Sequence, residues 1–331
     1  MSVSGQLTLG LGLGLGRGQG SGDGSSTLAA RVFLLIGQSN MVGRPPFDGG
    51  AEHPSIVRQW GRVAPNDGVL IPATSPLQHV DPQINDMGLD LSFSIDWVQA
   101  NPARSLILVP SAKGGSSLGS GDWQKGGLYY EDAVARANAA IAASPGAVFA
   151  GFLWHQGEAD ASNGNYQVQL DQMIADFRSD VTGAATVPFI LGGFSDIYVG
   201  SDPNRAAMRN IVLDTPNRVS DTAVADASDL TMQTDNLHFD AAALRILGSR
   251  YFTAFSTISI TAPSAVGVIP NQTDVLALAA PSAIGTIPNQ TDVLALAPPV
   301  ALGTIPDQTD LASLAAPVAI GMIPDQMDVA A

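Results

Sequence analysis

From Ala30 onward the chain alternates short apolar runs, polar glycine-containing turns and stretches with helical spacing. Val32-Phe33-Leu34-Leu35-Ile36 is five consecutive apolar residues, two of them β-branched, which predicts a short strand buried on both faces. Ser105–Val109, Val148–Trp154 and Val187–Leu191 repeat that signature, and a shorter fifth strand is expected near Thr222–Ala225. Between them, Phe93–Gln99 predicts a short helix, and the Ala-rich residues 129–143 a longer one stopped by Pro145-Gly146. Tyr166, Leu170, Met173, Ile174 and Phe177 fall on one helical face, and a last helix over 240–255 carries Leu244, Ile246, Leu247 and Phe252. Residues 44–92, rich in Pro, Gly, Asp and Asn, read as loop with short elements. Strand alternating with helix predicts an α/β fold, a parallel sheet covered by helices on both faces. In such a sheet ligands bind at the carboxyl ends of the strands.

The flanks have a different composition. Residues 1–28 form a Gly/Leu/Ser-rich arm in which leucine alternates with glycine, a pattern too weak for an independent strand and suited to a flexible or assembly-dependent segment. Residues 257–331 carry Pro270-Asn-Gln-Thr-Asp274, which recurs at Pro288, Pro306 and Pro324 with a fixed spacing of 18 residues. A fixed period predicts a stacked or beaded array of extended, β-like repeats turning at Pro-Asn or Pro-Asp. The regular aspartates lack the glycine-rich spacing of repeat calcium sites and read as solvated turn residues. The expected organisation is therefore an arm over 1–28, a globular domain over 29–256 and four repeats over 257–331.

Composition narrows the function. A net charge of −15 with lysine only at 113 and 125 argues against nucleic acid or an anionic membrane surface as partner. No apolar stretch approaches the length of a membrane span, and the N-terminus lacks the basic and apolar regions of a Sec-type signal. The localisation stays undecided, with an extracellular or particle-associated site open. The absence of cysteine removes thiol catalysis, disulfides and thiolate metal sites.

Three predicted strands end in short polar motifs: Gly37-Gln38-Ser39-Asn40-Met41, Lys113-Gly114-Gly115-Ser116-Ser117 and His155-Gln156-Gly157-Glu158-Ala159-Asp160. By itself the first is a polar turn after a strand. A serine nucleophile there needs a base, and the sequence has four histidines. His53 and His79 lie in the loop-rich section with no acid at a telling spacing. His155 follows the third strand and can face the same sheet edge. His238 sits in Asp235-Asn236-Leu237-His238, where an acid three residues earlier can hold Nδ1–H and aim Nε2 outward. Alone, an Asp-x-x-His is common.

The ordered blocks together resemble the SGNH hydrolase superfamily, more narrowly its sialate O-acetylesterase-like and acetylxylan-esterase branch. The resemblance covers roughly residues 30–255. It implies a flavodoxin-like three-layer α/β/α fold and metal-free, cofactor-free hydrolysis of short acyl esters, usually acetyl groups on carbohydrate. It implies Ser39 as nucleophile, His238 as general base and Asp235 as its orienting acid. For the oxyanion it implies the backbone N–H of Ser39, that of Gly115 (Gly114 being the alternative) and the side chain of Gln156. Gln38 stands where the wider superfamily has an acid, and Gln156 where it has asparagine; both are features of this branch. Gln38, Asn40, His155 and Glu158 are candidate supports of the site. Glu158 either braces the serine loop or forms a buried ion pair with Arg44, and Trp123 and Trp154 either wall the acyl pocket or belong to the core, the commoner outcome.

Two function classes follow. One is a serine esterase that removes acetyl groups from a carbohydrate through an acetyl-Ser39 intermediate. The other is a glycan-binding surface or virus-particle component in which the arm and repeats engage an assembly partner. A long-chain lipase or thioesterase fits less well, because no extended apolar lid segment is visible.

Overall fold

The computed structural model describes residues 28–81 and 86–258, together with seven short strands between 265 and 320. The N-terminal arm expected over 1–28 lies outside the described residues except for Leu28. The apolar runs form strands β1 (Leu28–Gly37), β4 (Arg104–Pro110), β5 (Val148–His155), β6 (Phe189–Gly192) and β7 (Thr222–Ala225). Two more, β2 (Val57–Trp60) and β3 (Leu70–Pro72), arise inside the loop-rich section. All seven make one sheet in the order β3-β2-β4-β1-β5-β6-β7, parallel except that β3 runs antiparallel to β2. Without the β2–β3 addition, the order β4-β1-β5-β6-β7 is the flavodoxin-like one, with its switch point beside β1.

Double-sided burial explains why β1 reads as a continuous apolar run rather than an alternating one. Val32, Leu34 and Ile36 point into one core layer, against α3 (Leu128–Ala142) and α4 (Tyr166–Asp180). Phe33 and Leu35 point into the other, against α2 (Asp90–Ala100) and α8 (Ala241–Thr257). The α4 face expected from its spacing is buried along its whole length, as Tyr166, Leu170, Met173, Ile174 and Phe177. On α8, Leu244 and Leu247 are buried, whereas Ile246 is exposed. Two residues beyond Leu244, it lies on the opposite side of a 3.6-residue helix.

Among the described residues there are a 3-10 turn over Glu158–Asp160 and four further α-helices. The helices are α1 (Ser39–Val42), α5 (Asp196–Val199), α6 (Pro203–Leu213) and α7 (Thr215–Arg218). The sequence reading did not separate α6, although its start signal was present. Asp202 caps it, accepting from the N–H groups of Asn204 and Arg205, and Pro203 takes the first turn, where its missing donor costs nothing.

In the repeats, β8 (Ala265–Val266), β10 (Ala283–Ile284), β12 (Ala301–Leu302) and β14 (Ala319–Ile320) form one parallel sheet. β9 (Thr273–Val275), β11 (Gln290–Val293) and β13 (Gln308–Leu311) form a second. Each strand residue pairs with its equivalent in the next repeat, as Ala283 does with Ala265 and Ala301.

The tightest backbone approach in the sheet is at Gly37. Its φ is +127°, and an added Cβ would lie 2.1 Å from the carbonyl oxygen of His155. Only a residue without a side chain fits there. Gly37→Ala should therefore sharply reduce soluble folded protein, or lower the melting temperature by several degrees, since a loss of about 1 kcal/mol already shifts it by about 2–4 °C in a domain of this size. An unchanged melting curve would show that the two strand ends can part without cost.

Candidate active site

The ends of β4, β1 and β5 lie side by side, so the three polar motifs that follow them meet at one edge. Backbone hydrogen bonds continue the ladder past the strands: Lys113 N–H donates to Gly37 O at 2.9 Å, and Gln38 N–H to His155 O at 2.8 Å. Ser39 opens α1 directly beyond this junction.

The histidine comes from the other end of the domain. In the turn Asp235–His238, Asn236 adopts φ 53°, a left-handed conformation that asparagine tolerates. Asp235 Oδ1 accepts from the backbone N–H of Leu237 (2.9 Å) and of His238 (3.0 Å), closing the turn. Its other oxygen lies 2.7 Å from His238 Nδ1, and His238 Nε2 lies 3.0 Å from Ser39 Oγ. With Nδ1–H donated to the acid, Nε2 is left as the acceptor facing the serine hydroxyl. Partial burial works against ionisation of Asp235, but hydrogen bonds from the backbone of His238 and Leu237 and from the His238 ring outweigh it and hold the carboxyl below its ordinary range. The structure thus brings Ser39, His238 and Asp235 into one hydrogen-bonded line.

Asn40 clamps the two halves of this line together. Its Nδ2 donates to Leu237 O (3.1 Å) and Glu158 Oε1 (2.6 Å), while its Oδ1 accepts from Phe239 N–H at 3.2 Å. The histidine turn is therefore held on both sides of His238. Glu158 is buried and lies with its Oε1 3.4 Å from His155 Nε2. Burial disfavours the Glu158 anion, yet His155 and Asn40 keep its carboxyl below the usual range. His155 is fully buried, and its Nδ1 lies 3.2 Å from the hydroxyl of Tyr251. Arg44 pairs with Asp81 at 3.4 Å, so the alternative of an Arg44–Glu158 pair gives way to a contact between Glu158 and the serine helix.

At the second motif, Gly115 adopts φ 72°. Gly114 N–H is committed to Asp81 Oδ1 at 3.0 Å, whereas Gly115 N–H and Ser39 N–H donate to no acceptor among the described residues. Gln156 departs from the expectation. Its side-chain nitrogen lies 2.6 Å from Asp160 Oδ2, 3.2 Å from Gln38 Oε1 and 3.3 Å from Ser116 O, so the amide is spent inside the protein and Gln156 does not line the cavity. Trp123 and Trp154 are likewise core residues, packed edge to face with ring centroids 5.5 Å apart. Outside the site, His53 found a partner that spacing did not show: its Nε2 lies 3.0 Å from buried Asp90 Oδ2.

An open cavity of about 370 Å³ exposes this machinery. Among the described residues, Gln38, Ser39, Gly115, Glu158 and His238 line it beside Arg44 and Asp81, and Ala159 and Leu237 are the apolar side chains in the lining.

Beneath the second motif, fully buried His79 accepts from Ala112 N–H through Nδ1 at 3.0 Å. Desolvation, partly offset by Asp90, lowers its pKa to about 4. Below pH 6.5 the unfolded chain therefore takes up a proton that the folded chain refuses, so stability is lost as the pH falls from 6.5 toward 4. Urea unfolding at pH 7 and pH 4.5 should show a loss of roughly 2–3 kcal/mol from this group. His79→Gln, which keeps an acceptor for Ala112, should flatten the dependence by that amount; equal slopes would assign the loss to other groups.

Comparison with known proteins bears on the family and the fold. The family model described as carbohydrate esterase, sialic acid-specific acetylesterase, matches residues 29–257. A protein of Arabidopsis thaliana named as a probable carbohydrate esterase is 27% identical over 242 residues, covering 66% of this chain and 87% of its own. An Arabidopsis thaliana crystal structure superposes with a TM-score of 0.61 at 23% identity, covering 70% of this chain and 99% of that one. The structure of NanS gives 0.56 at 19% identity, with 70% and 97% covered. A carbohydrate acetylesterase from Xanthomonas citri gives 0.52 at 21%, with 69% and 56% covered. These three structural likenesses share the fold.

Proposed function

The chain belongs to the carbohydrate esterase, sialic acid-specific acetylesterase family and is a carboxylic ester hydrolase, and from that premise we propose that it removes acetyl groups from a carbohydrate by way of an acetyl-Ser39 intermediate. The observation that carries the mechanism is the line Asp235–His238–Ser39, with contacts of 2.7 and 3.0 Å, of which Ser39 and His238 line the cavity.

In the first step Ser39 Oγ adds to the ester carbonyl carbon as its proton passes to His238 Nε2. The imidazolium so formed is stabilised by ionised Asp235, which keeps its own proton-free state. The carbonyl oxygen gains the electron pair of the opened π bond and is met by the N–H groups of Ser39 and Gly115. His238 then returns the proton to the sugar oxygen as the C–O bond breaks. Water, deprotonated by the same nitrogen, attacks the acetyl-Ser39 carbonyl; as the C–Oγ bond breaks, His238 returns that proton to Ser39 Oγ and acetate leaves.

The cavity supports a short acyl group on a polar leaving group. Among the described residues its lining offers hydrogen-bonding groups around Ser39, with Ala159 and Leu237 to contact a methyl group. A long acyl chain would need a continuous apolar wall.

Purified protein is expected to release acetate from p-nitrophenyl acetate and from an acetylated sugar. Ser39→Ala should lower kcat by roughly 10⁴-fold or more, and Asp235→Asn by about 10⁴-fold, because the wrong histidine tautomer is then favoured. Activity retained in Ser39→Ala would sink the assignment. Asn40→Ala, which frees the turn carrying His238 without touching the reacting atoms, should lower kcat on the order of 10²-fold. A variant with parental kcat would mean that the turn holds its place by itself.

A further inference from the structure

The N–H groups of Ser39 and Gly115 are without an acceptor among the described residues, and the expected side-chain donor, Gln156, is engaged by Asp160, Gln38 and Ser116. The hydrogen bonds around Gln38 identify what replaces it. Gln38 Oε1 lies 3.2 Å from Ala159 N, 3.5 Å from Gly157 N and 3.2 Å from Gln156 Nε2. The first two are backbone N–H groups, which can only donate, so the oxygen end of the amide must face residues 157–159. The orientation of Gln156 is fixed by the same logic in reverse. Its nitrogen faces the Asp160 carboxylate and the Ser116 carbonyl, which accept, and its Oε1 is sealed without a partner.

With its oxygen held by three donors, Gln38 presents its Nε2 on the other side. That nitrogen donates to no acceptor among the described residues and is not one of the sealed polar atoms, although Gln38 as a whole is only 3% exposed. The small opening that reaches Gln38 is the cavity it lines together with Ser39 and Gly115. An amide locked in orientation, with its free N–H group beside the nucleophile, meets the requirement for a pre-aimed donor.

We propose that the Gln38 side-chain amide, not that of Gln156, is the third oxyanion donor, and that Gln156 is a positioning residue that holds Gln38 in place. This rests on the serine esterase reading above. As Ser39 Oγ bonds to the carbonyl carbon and the C=O π pair moves to oxygen, Gln38 Nε2–H donates to that oxygen beside the N–H groups of Ser39 and Gly115. No proton is transferred by Gln38.

The test uses the full chain and p-nitrophenyl acetate. Gln38→Glu keeps an oxygen for Ala159, Gly157 and Gln156 but removes the amide donor. Gln38→Leu removes the donor without adding charge. Both should lower kcat about 10²–10³-fold, the loss seen when one such donor is deleted, with KM within about threefold of the parent. The ratio of Gln38→Glu to parental kcat should rise from pH 8 to pH 5, because the protonated carboxyl regains an O–H donor, whereas the Gln38→Leu ratio should stay flat. Inhibition by methylboronic acid, whose tetrahedral adduct on a serine places a hydroxyl at the oxyanion position, should weaken in both variants. Parental kcat in either folded variant, a loss confined to KM, or unchanged boronate inhibition would overturn the assignment. Ser39→Ala keeps the two readings apart. If it abolishes hydrolysis while the Gln38 variants keep parental kcat, only the oxyanion assignment fails; if it stays active, the esterase site itself is wrong.

Discussion

The site depends on how closely β1 is held between β4 and β5. A parallel sheet fixes the positions of strand ends, but the loops beyond them are normally free to diverge. Here the ladder runs on past the strands through Lys113 N–H to Gly37 O and Gln38 N–H to His155 O. The second bond requires the β5 carbonyl to come within what would be Cβ distance of Gly37, and glycine makes that possible. Three loops that are 118 residues apart at their extremes, Gln38 and Gln156, are thereby brought within side-chain reach. Ser39, Gly115 and the Glu158 segment inherit their mutual geometry from backbone bonds, which cost little to keep aligned during a reaction.

Beneath this backbone frame lies a buried polar network whose members constrain one another. The Tyr251 hydroxyl donates to Trp154 O at 2.6 Å, so toward His155 it can only accept, and His155 Nδ1 carries the proton between them. The opposite ring nitrogen faces the Glu158 carboxylate, which also receives Asn40. Isolated burial of such a carboxylate would be expensive. Contacts to His155 and Asn40 offset part of that cost and at the same time set the orientation of Asn40, on which the position of the His238 turn depends. Stability of the network and alignment of His238 with Ser39 are consequently one property, and a loss at Asn40 reaches both.

Much of this was legible in the sequence because burial on both faces of a sheet leaves an unmistakable apolar run. All five predicted parallel strands formed, and three polar motifs at their ends meet at one edge of the sheet. The strands β2 and β3 were not legible: they sit within a stretch of turn residues, and β2 pairs with β4 through only Val57, Arg58 and Gln59. The sequence did not tell which of the apolar residues of the last helix would be buried, because an Ala-rich helix gives its apolar face little contrast; Ile246 is exposed. The Asp235–His238 spacing alone is common and was singled out by the resemblance of the ordered blocks; the Asn236 conformation explains why so short a turn can close. Which amide faces the cavity was not readable, since it depends on the direction of backbone N–H groups at Gly157 and Ala159, far from Gln38 in sequence.

That last point limits what any motif can say about chemistry. Positions 38 and 156 touch, with Gln156 Nε2 3.2 Å from Gln38 Oε1, so neither side chain has a role independent of the other. A carboxylate at 38 would still accept from Gln156, Gly157 and Ala159, and the loop would keep its shape, but it would offer the cavity no N–H. A shorter amide at 156 would have one fewer methylene with which to reach Asp160 and Gln38 together. The glutamine pair therefore works as a relay of orientation: Asp160 and Ser116 aim Gln156, and Gln156, with two backbone N–H groups, aims Gln38. Donor geometry at the reacting carbon is set by atoms that never meet the substrate, and the chemical identity of residue 38 has meaning only with residue 156 beside it.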